Sequence, residues 1–142
     1  MKVLGEKKKG IAYVYLLLLA IAGLLIFLGV KEIKVITGFI FLAAGIIFII
    51  VGMYMIIDII RYPQNIIVYK EIDNTLILNN RVIVSVEFIT DVSFINARSK
   101  SITWKWGMVV IRTTGATYKC KYVKDCEKVA KTLMKLMYKK EL

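Results

Sequence analysis

The sequence predicts an α+β membrane protein: a two-helix transmembrane hairpin, then a small antiparallel β barrel or sandwich closed by an amphipathic helix. Three observations predict it. Two long apolar runs, Ile11 to Val30 and Val35 to Ile57, carry no Asp, Glu, Lys or Arg and are separated only by Lys31-Glu32-Ile33-Lys34. Residues 64–122 change to short alternating segments punctuated by Asn, Asp and Gly. The last segment, about 125–140, has one apolar face and one lysine face.

Each apolar run reaches the roughly 20 residues needed to cross a hydrocarbon core of about 30 Å. The first run follows Lys7-Lys8-Lys9, as a signal peptide would. Signal h-regions, however, run about 7–15 residues and end at a small-residue cleavage site. This run ends Phe27-Leu28-Gly29-Val30-Lys31, so a retained span is expected. The loop 31–34 permits only an antiparallel turn. Residues 1–10 read as a short polar, mobile tail. Lysines concentrate at both ends of the hairpin, in the tail and from Arg61 onward. The positive-inside bias then puts both termini in the cytoplasm, in a multi-pass protein of the cell (inner or plasma) membrane.

In the second run Gly38, Gly45 and Gly52 recur at seven-residue spacing, nearly two helical turns. Small residues on one stripe let a second helix approach closely in lipid, and a seven-residue period implies left-handed crossing. Ala22, Gly23 and Gly29 of the first run are the expected partners, although a helix of another chain, including a second copy in a homo-oligomer, fits the same pattern. Asp58 and Arg61 lie one turn apart at the end of the second run and are expected to pair at the interface. Pro63, the sole proline, stops the helix near Tyr62.

The β elements follow in order. Ile66 to Tyr69 leads to a turn at Ile72-Asp73-Asn74. Leu76 to Leu78 leads to Asn79-Asn80, a pair that tolerates positive φ. Val82, Val84, Val86 and Phe88 alternate with Arg81, Ser85 and Glu87, the period of a half-buried strand. Further strands read at Val92 to Ile95, Ile102 to Trp104, Met108 to Thr113 and Thr117 to Tyr122, with Thr114-Gly115 turning before the last. Six or seven antiparallel strands at this spacing suggest a barrel or sandwich. Asp125 is the expected N-cap of the closing helix. Its apolar face holds Cys126, Val129, Ala130, Leu133, Leu136 and Met137. Lys124, Lys128, Lys131, Lys135 and Lys139 lie opposite, toward water or headgroups.

Phe88-Ile89-Thr90-Asp91-Val92-Ser93-Phe94, Gly107-Met108-Val109-Val110-Ile111-Arg112, Thr113-Thr114-Gly115 and the Asp125 helix come in an order that resembles the bacterial pleckstrin-homology-like (PH-like) domain of small membrane proteins. The resemblance covers residues 64–142. It implies strands in short hairpins followed by one closing helix, carried behind paired spans, with one strand missing or merged because the domain is short for the family. Phosphoinositide-binding members of the wider superfamily carry several basic residues in the first hairpin. Tyr69-Lys70-Glu71-Ile72-Asp73-Asn74 has one lysine and two acids, so that mode of recognition is not expected here.

The chain has no histidine, which excludes a histidine-based triad and a histidine–metal site. No P-loop motif occurs. Cys120 and Cys126 are too few for a zinc site and read as buried small hydrophobes. Asp91, hemmed in by apolar residues, reads as a lone acid bonding backbone at a strand start. No catalytic residue, metal or cofactor is expected. The net charge of +11 is explained by an anionic leaflet, near which each basic group gains about 1 kcal/mol, rather than by nucleic acid.

The segment Arg98 to Trp106 is the best binding candidate. Arg98, Lys100 and Lys105 supply cations, and alternation puts Trp104 and Trp106 on one face. Tryptophan favours the headgroup level and Arg or Lys takes phosphate oxygens. The rival reading is a polar hairpin loop whose tryptophans close the end of the barrel. The functional expectation is a non-catalytic interaction or scaffolding module at the membrane, with a protein partner or the bilayer itself as its object. The alternatives are an accessory subunit of a transporter or signalling complex docked through Gly38, Gly45 and Gly52, an anionic-lipid headgroup sensor, and a small membrane enzyme using a cysteine nucleophile.

Overall fold

The computed structural model describes residues 1–139. Ten regular elements follow one another: β1 (Lys2–Glu6), α1 (Ile11–Lys31), α2 (Ile36–Arg61), β2 (Asn65–Lys70), β3 (Thr75–Leu78), β4 (Val82–Ser85), β5 (Ile89–Ser99), β6 (Ile102–Thr113), β7 (Thr117–Val123) and α3 (Cys126–Tyr138). They form two units, one from Lys9–Arg61 and one from Met1–Lys8 together with Tyr62–Leu142.

The helical unit is an antiparallel hairpin. Both helices are long and apolar enough to cross a membrane, and only 11% of each apolar window is buried. Tyr13, Leu17, Phe27, Ile36, Ile50 and Tyr54 are all more than half exposed. Apart from Ile11 and Ile59, what is buried is the small-residue seam. Ala22 and Gly29 of α1 and Gly38, Gly45 and Gly52 of α2 have no room around them. A Cβ on Gly45 would lie 2.6 Å from Ile26 Cγ1 and 3.0 Å from the Ala22 carbonyl oxygen. One on Gly29 would lie 2.9 Å from the Gly38 carbonyl oxygen. The stripe therefore packs on the first helix of the same chain. Gly23 departs from expectation: it is exposed, with nothing within 4 Å of a Cβ. It follows Ala22 directly, and a helical step of about 100° carries it off the seam.

The β unit begins before the hairpin. Residues 2–6, expected to be a mobile tail, form an edge strand antiparallel to β2, with Lys2 opposite Tyr69 and Val3 opposite Val68. This pairs the second edge of β2, in which Ile66, Ile67 and Val68 are all buried. Gly5 lies over Ile67, whose Cβ would be 3.3 Å from an added Cβ. The first sheet is the meander β1-β2-β3-β4 and the second is β5-β6-β7. The β3–β4 turn uses Asn79 and Asn80, both at φ 53°.

At one corner the sheets are stitched by backbone hydrogen bonds. Lys124 N–H donates to Glu6 O at 2.8 Å and Lys8 N–H donates to Tyr122 O at 2.8 Å. At the other corner the expected strand Val82–Phe88 breaks after Ser85. Residues Val86–Phe88 make one 3₁₀ turn, with the Ser85 hydroxyl accepting from Glu87 N–H. The strand period thus ends at Val86, and Phe88 is 59% exposed rather than buried. Two sheets with a turn between them, and no closed barrel, are the result.

One core joins both sheets to α3: Ile66, Leu76 and Leu78 on the first, Val92, Val109, Ile111 and Cys120 on the second, and Cys126, Val129, Ala130 and Leu133 on the helix. The α3 face is the one the 3.6-residue period predicts. Its start is not capped as expected. Asp125 sits in the left-handed region at φ 49° and its carboxylate makes no capping hydrogen bond. The expected last helical residue, Lys140, lies outside the described residues.

Candidate functional site

The segment Arg98 to Trp106 is not a free loop. The two pieces expected at Ile102 to Trp104 and Met108 to Thr113 are one strand, β6, paired with β5 almost to the hairpin tip. Arg98 is opposite Thr103 and Ser99 is opposite Ile102. Lys100 and Ser101 make the turn, with Lys100 at φ 36°. Between the pairs Asn96–Gly107 and Arg98–Thr103, the residues Trp104, Lys105 and Trp106 oppose Ala97 alone. Such a bulge re-aims side chains beside it. It needs Gly107, because a Cβ there would collide with the Ile95 carbonyl oxygen. The indoles of Trp104 and Trp106 are neighbours, with centroids 6.4 Å apart and planes at 33°.

An open groove of about 710 Å³ runs between this bulge and α3. Asn96, Thr103, Trp104 and Lys105 line it from the hairpin, and Lys128, Lys131, Thr132 and Lys135 line it from the helix, with Asp125 and Glu127 at the helix start. Four lysines face two carboxylates. Lys131 spends its charge on Glu127, at 2.6 Å. Lys105, Lys128 and Lys135 make no ion pair among the described residues. The Thr132 hydroxyl donates to Lys128 O at 2.9 Å.

The Cys126 thiol holds the helix start to the bulge. It is buried and donates to Asn96 Oδ1 at 2.8 Å, with Lys105 O at 3.6 Å. Burial pushes its pKa up, against the opposing effect of nearby backbone N–H groups. Burial pushes Cys120 up to about 12. In both thiols burial disfavours the thiolate, the reactive form. Among the described residues no group of three or more His, Cys, Asp or Glu could hold a metal ion.

Of the five binding candidates, Trp104 and Lys105 line the groove. Arg98 and Lys100 stand at the hairpin tip. Trp106 lines a separate shallow cleft of about 230 Å³, with Ile95, Met108 and Tyr122 among its walls. Within the hairpin, Gly45 and Gly52 are covered by α1 and Gly38 by the loop residues Glu32 and Ile33. Asp91, expected to be a lone acid bonding backbone, is exposed and pairs with Arg112 at 3.4 Å.

The chain matches no protein-family model, no curated protein and no solved structure. The site therefore rests on its own geometry. Lys128, Lys131 and Lys135 were visible in the sequence as a lysine stripe. Nothing local in the sequence indicated that the stripe borders Lys105 and Trp104 across a groove. The arrangement, with four lysines and two carboxylates, can attract and hold an anion.

Proposed function

We propose that the chain is a non-catalytic membrane protein whose β unit, PH-like in design, is an interaction module held at the cytoplasmic face of the membrane. The observation that carries this reading is the pairing of β1 with β2. One strand precedes the helical hairpin and the other follows it. Both ends of the hairpin must then lie on one side of any membrane it enters, which requires an even number of crossings. Lys7 Nζ reinforces the closure by donating to Tyr62 O at 2.8 Å. The apolar outer surface of α1 and α2 is the kind that lipid accepts and water does not.

The PH-like reading draws on the four-plus-three strand order and the closing helix. The interaction role draws on the cationic groove, and the non-catalytic one on the burial of both thiols and the lack of histidine.

Alkaline extraction of membranes tests the anchoring, and protease accessibility from each side tests the topology. The protein is expected in the pellet, with an N-terminal tag and the β unit both cleaved from the cytoplasmic side. Release by alkali, or opposite accessibility of the two ends, would overturn the reading. Crosslinking in the native membrane tests the interaction role. A reproducible protein or lipid neighbour on the β unit is expected, and neighbours confined to α1 and α2 would count against it.

A further inference from the structure

We propose that the groove between the β5–β6 hairpin and α3 binds a small phosphate-bearing ligand, a free phosphorylated compound or a phosphorylated lipid headgroup. This deepens the interaction role proposed above and rests on it for its place at the membrane.

Lys128, Lys131 and Lys135 lie on one face of α3, and Lys105 faces them from the bulge. Glu127 answers only Lys131. Lys105, Lys128 and Lys135 remain against the single carboxylate of Asp125, a net excess of positive charge around one hollow that an anion relieves. The type of cation narrows the ligand. No arginine lines the groove. Planar carboxylates are best gripped by the guanidinium fork, whereas lysines act as point charges suited to the tetrahedral spread of phosphate oxygens. Thr132 has committed its proton to Lys128 O, so Thr103 is the threonine hydroxyl left to donate. Trp104, 40% exposed at the rim, offers an indole face for a sugar or base ring. A volume of about 710 Å³ falls in the range of small-molecule sites, roughly 300–1,000 Å³.

The full-length protein in phosphatidylcholine nanodiscs supports a direct test. Trp106→Phe leaves Trp104 as the only tryptophan, so its emission reports on the groove. Pyrophosphate and inositol hexakisphosphate are titrated, with citrate as the carboxylate comparison. A saturable change is expected with both phosphates, and a weaker one with citrate. Lys128→Glu with Lys135→Glu should weaken phosphate binding by at least about tenfold, while Lys100→Glu at the hairpin tip should leave it unchanged. Both reversed lysines are exposed, and circular dichroism verifies that the fold is kept. Lys105→Gln provides a milder second variant, expected to weaken binding in the same direction.

No saturable response, or equal affinity in the reversed and parent proteins, would overturn the proposal. In nanodiscs rich in phosphatidylglycerol, a Trp104 emission already shifted and a weakened pyrophosphate response identify a lipid headgroup as the source. An unchanged response identifies a soluble ligand. Release of the protein by alkali with phosphate binding intact would sink the anchoring but keep the groove. Firm anchoring without phosphate binding would do the reverse.

Discussion

Replacing glycines of the helical hairpin by alanine, one at a time, should give stability changes of opposite sign set by what lies over each Cα. At Gly45 the new methyl would stand 2.6 Å from Ile26 Cγ1 and 3.0 Å from the Ala22 carbonyl oxygen. A side chain can rotate away, but a helical carbonyl cannot move without its helix. The two helices must separate by several tenths of an ångström, and a gap of 0.5–1 Å forfeits about a quarter to a half of the dispersion energy along the seam. Overpacking of this kind costs about 1–3 kcal/mol. The better helix propensity of alanine returns up to about 1 kcal/mol, so a net loss of up to about 2 kcal/mol is expected. At Gly52 the obstacles are Leu19 Cδ2 at 2.8 Å and Leu18 Cδ2 at 3.1 Å. Both are ends of flexible side chains, and the net change should be near zero. At Gly23 nothing lies within 4 Å, so only the propensity gain remains. Dyes on Tyr13→Cys and Tyr54→Cys, at positions exposed on the two helices, report hairpin opening by energy transfer as sodium dodecyl sulfate is added to mixed micelles. The expected order of midpoints is Gly23→Ala highest, Gly52→Ala near the parent, Gly45→Ala lowest. Equal midpoints for Gly45→Ala and Gly23→Ala would refute the reasoning, because the seam would then not be where the helices touch.

The two thiols should respond differently to substitution. Cys120→Ser puts a hydroxyl into an apolar site and should cost about 1–3 kcal/mol, whereas Cys126→Ser keeps Asn96 Oδ1 as acceptor and should cost less; thermal unfolding of the β unit compares them. Because burial raises the Cys120 pKa from 9.0 to about 12, the folded state stays protonated where the unfolded state ionises, so its contribution is full below pH 9.0 and is lost as pH rises toward about 12. Cys120→Ala should flatten that part of the stability–pH profile, and an identical slope in the variant would discount the burial. Removing residues 2–6 should uncover β2 and make the β unit far more sensitive to protease, since Ile67 and Val68 lose the strand that covers them; unchanged digestion would mean that β1 does not contribute to the sheet.

What the sequence made legible was what depends on local pattern. The uncharged runs, the seven-residue glycine spacing, the Asn79-Asn80 turn and the two faces of α3 are each written within a few turns or one hairpin. What it hid depends on distant partners. Val3-Leu4 is too short to show a strand period, and β1 exists only because β2 offers an edge on the far side of the hairpin in the chain. The break after Ser85 hid behind an alternation that continued through Phe88. The candidate site was half legible. Residue types singled out Trp104 and Lys105, and helical spacing singled out the lysine stripe, but bringing them together required the continuous β6, the Gly107 approach and the Cys126–Asn96 contact. None of these three has a local signature.

The position of the helical hairpin within the β fold carries the widest consequence. A pair of spans placed ahead of a finished domain would leave that domain tethered by one strand of chain, free to rotate and recede. Here the spans interrupt the domain between its first two strands, so the chain enters and leaves the hairpin through residues fixed in the β unit. Lys7 and Tyr62 are hydrogen-bonded to each other across 55 residues of sequence, and the Tyr62 ring packs edge-on against Tyr122 at 5.2 Å. If the hairpin resides in lipid, the β unit is joined to the membrane at both ends of the hairpin. A membrane-side ligand would then be presented to the groove at high effective concentration. Weak individual contacts from Lys105, Lys128 and Lys135 would suffice there, although they would be insufficient for a freely diffusing module.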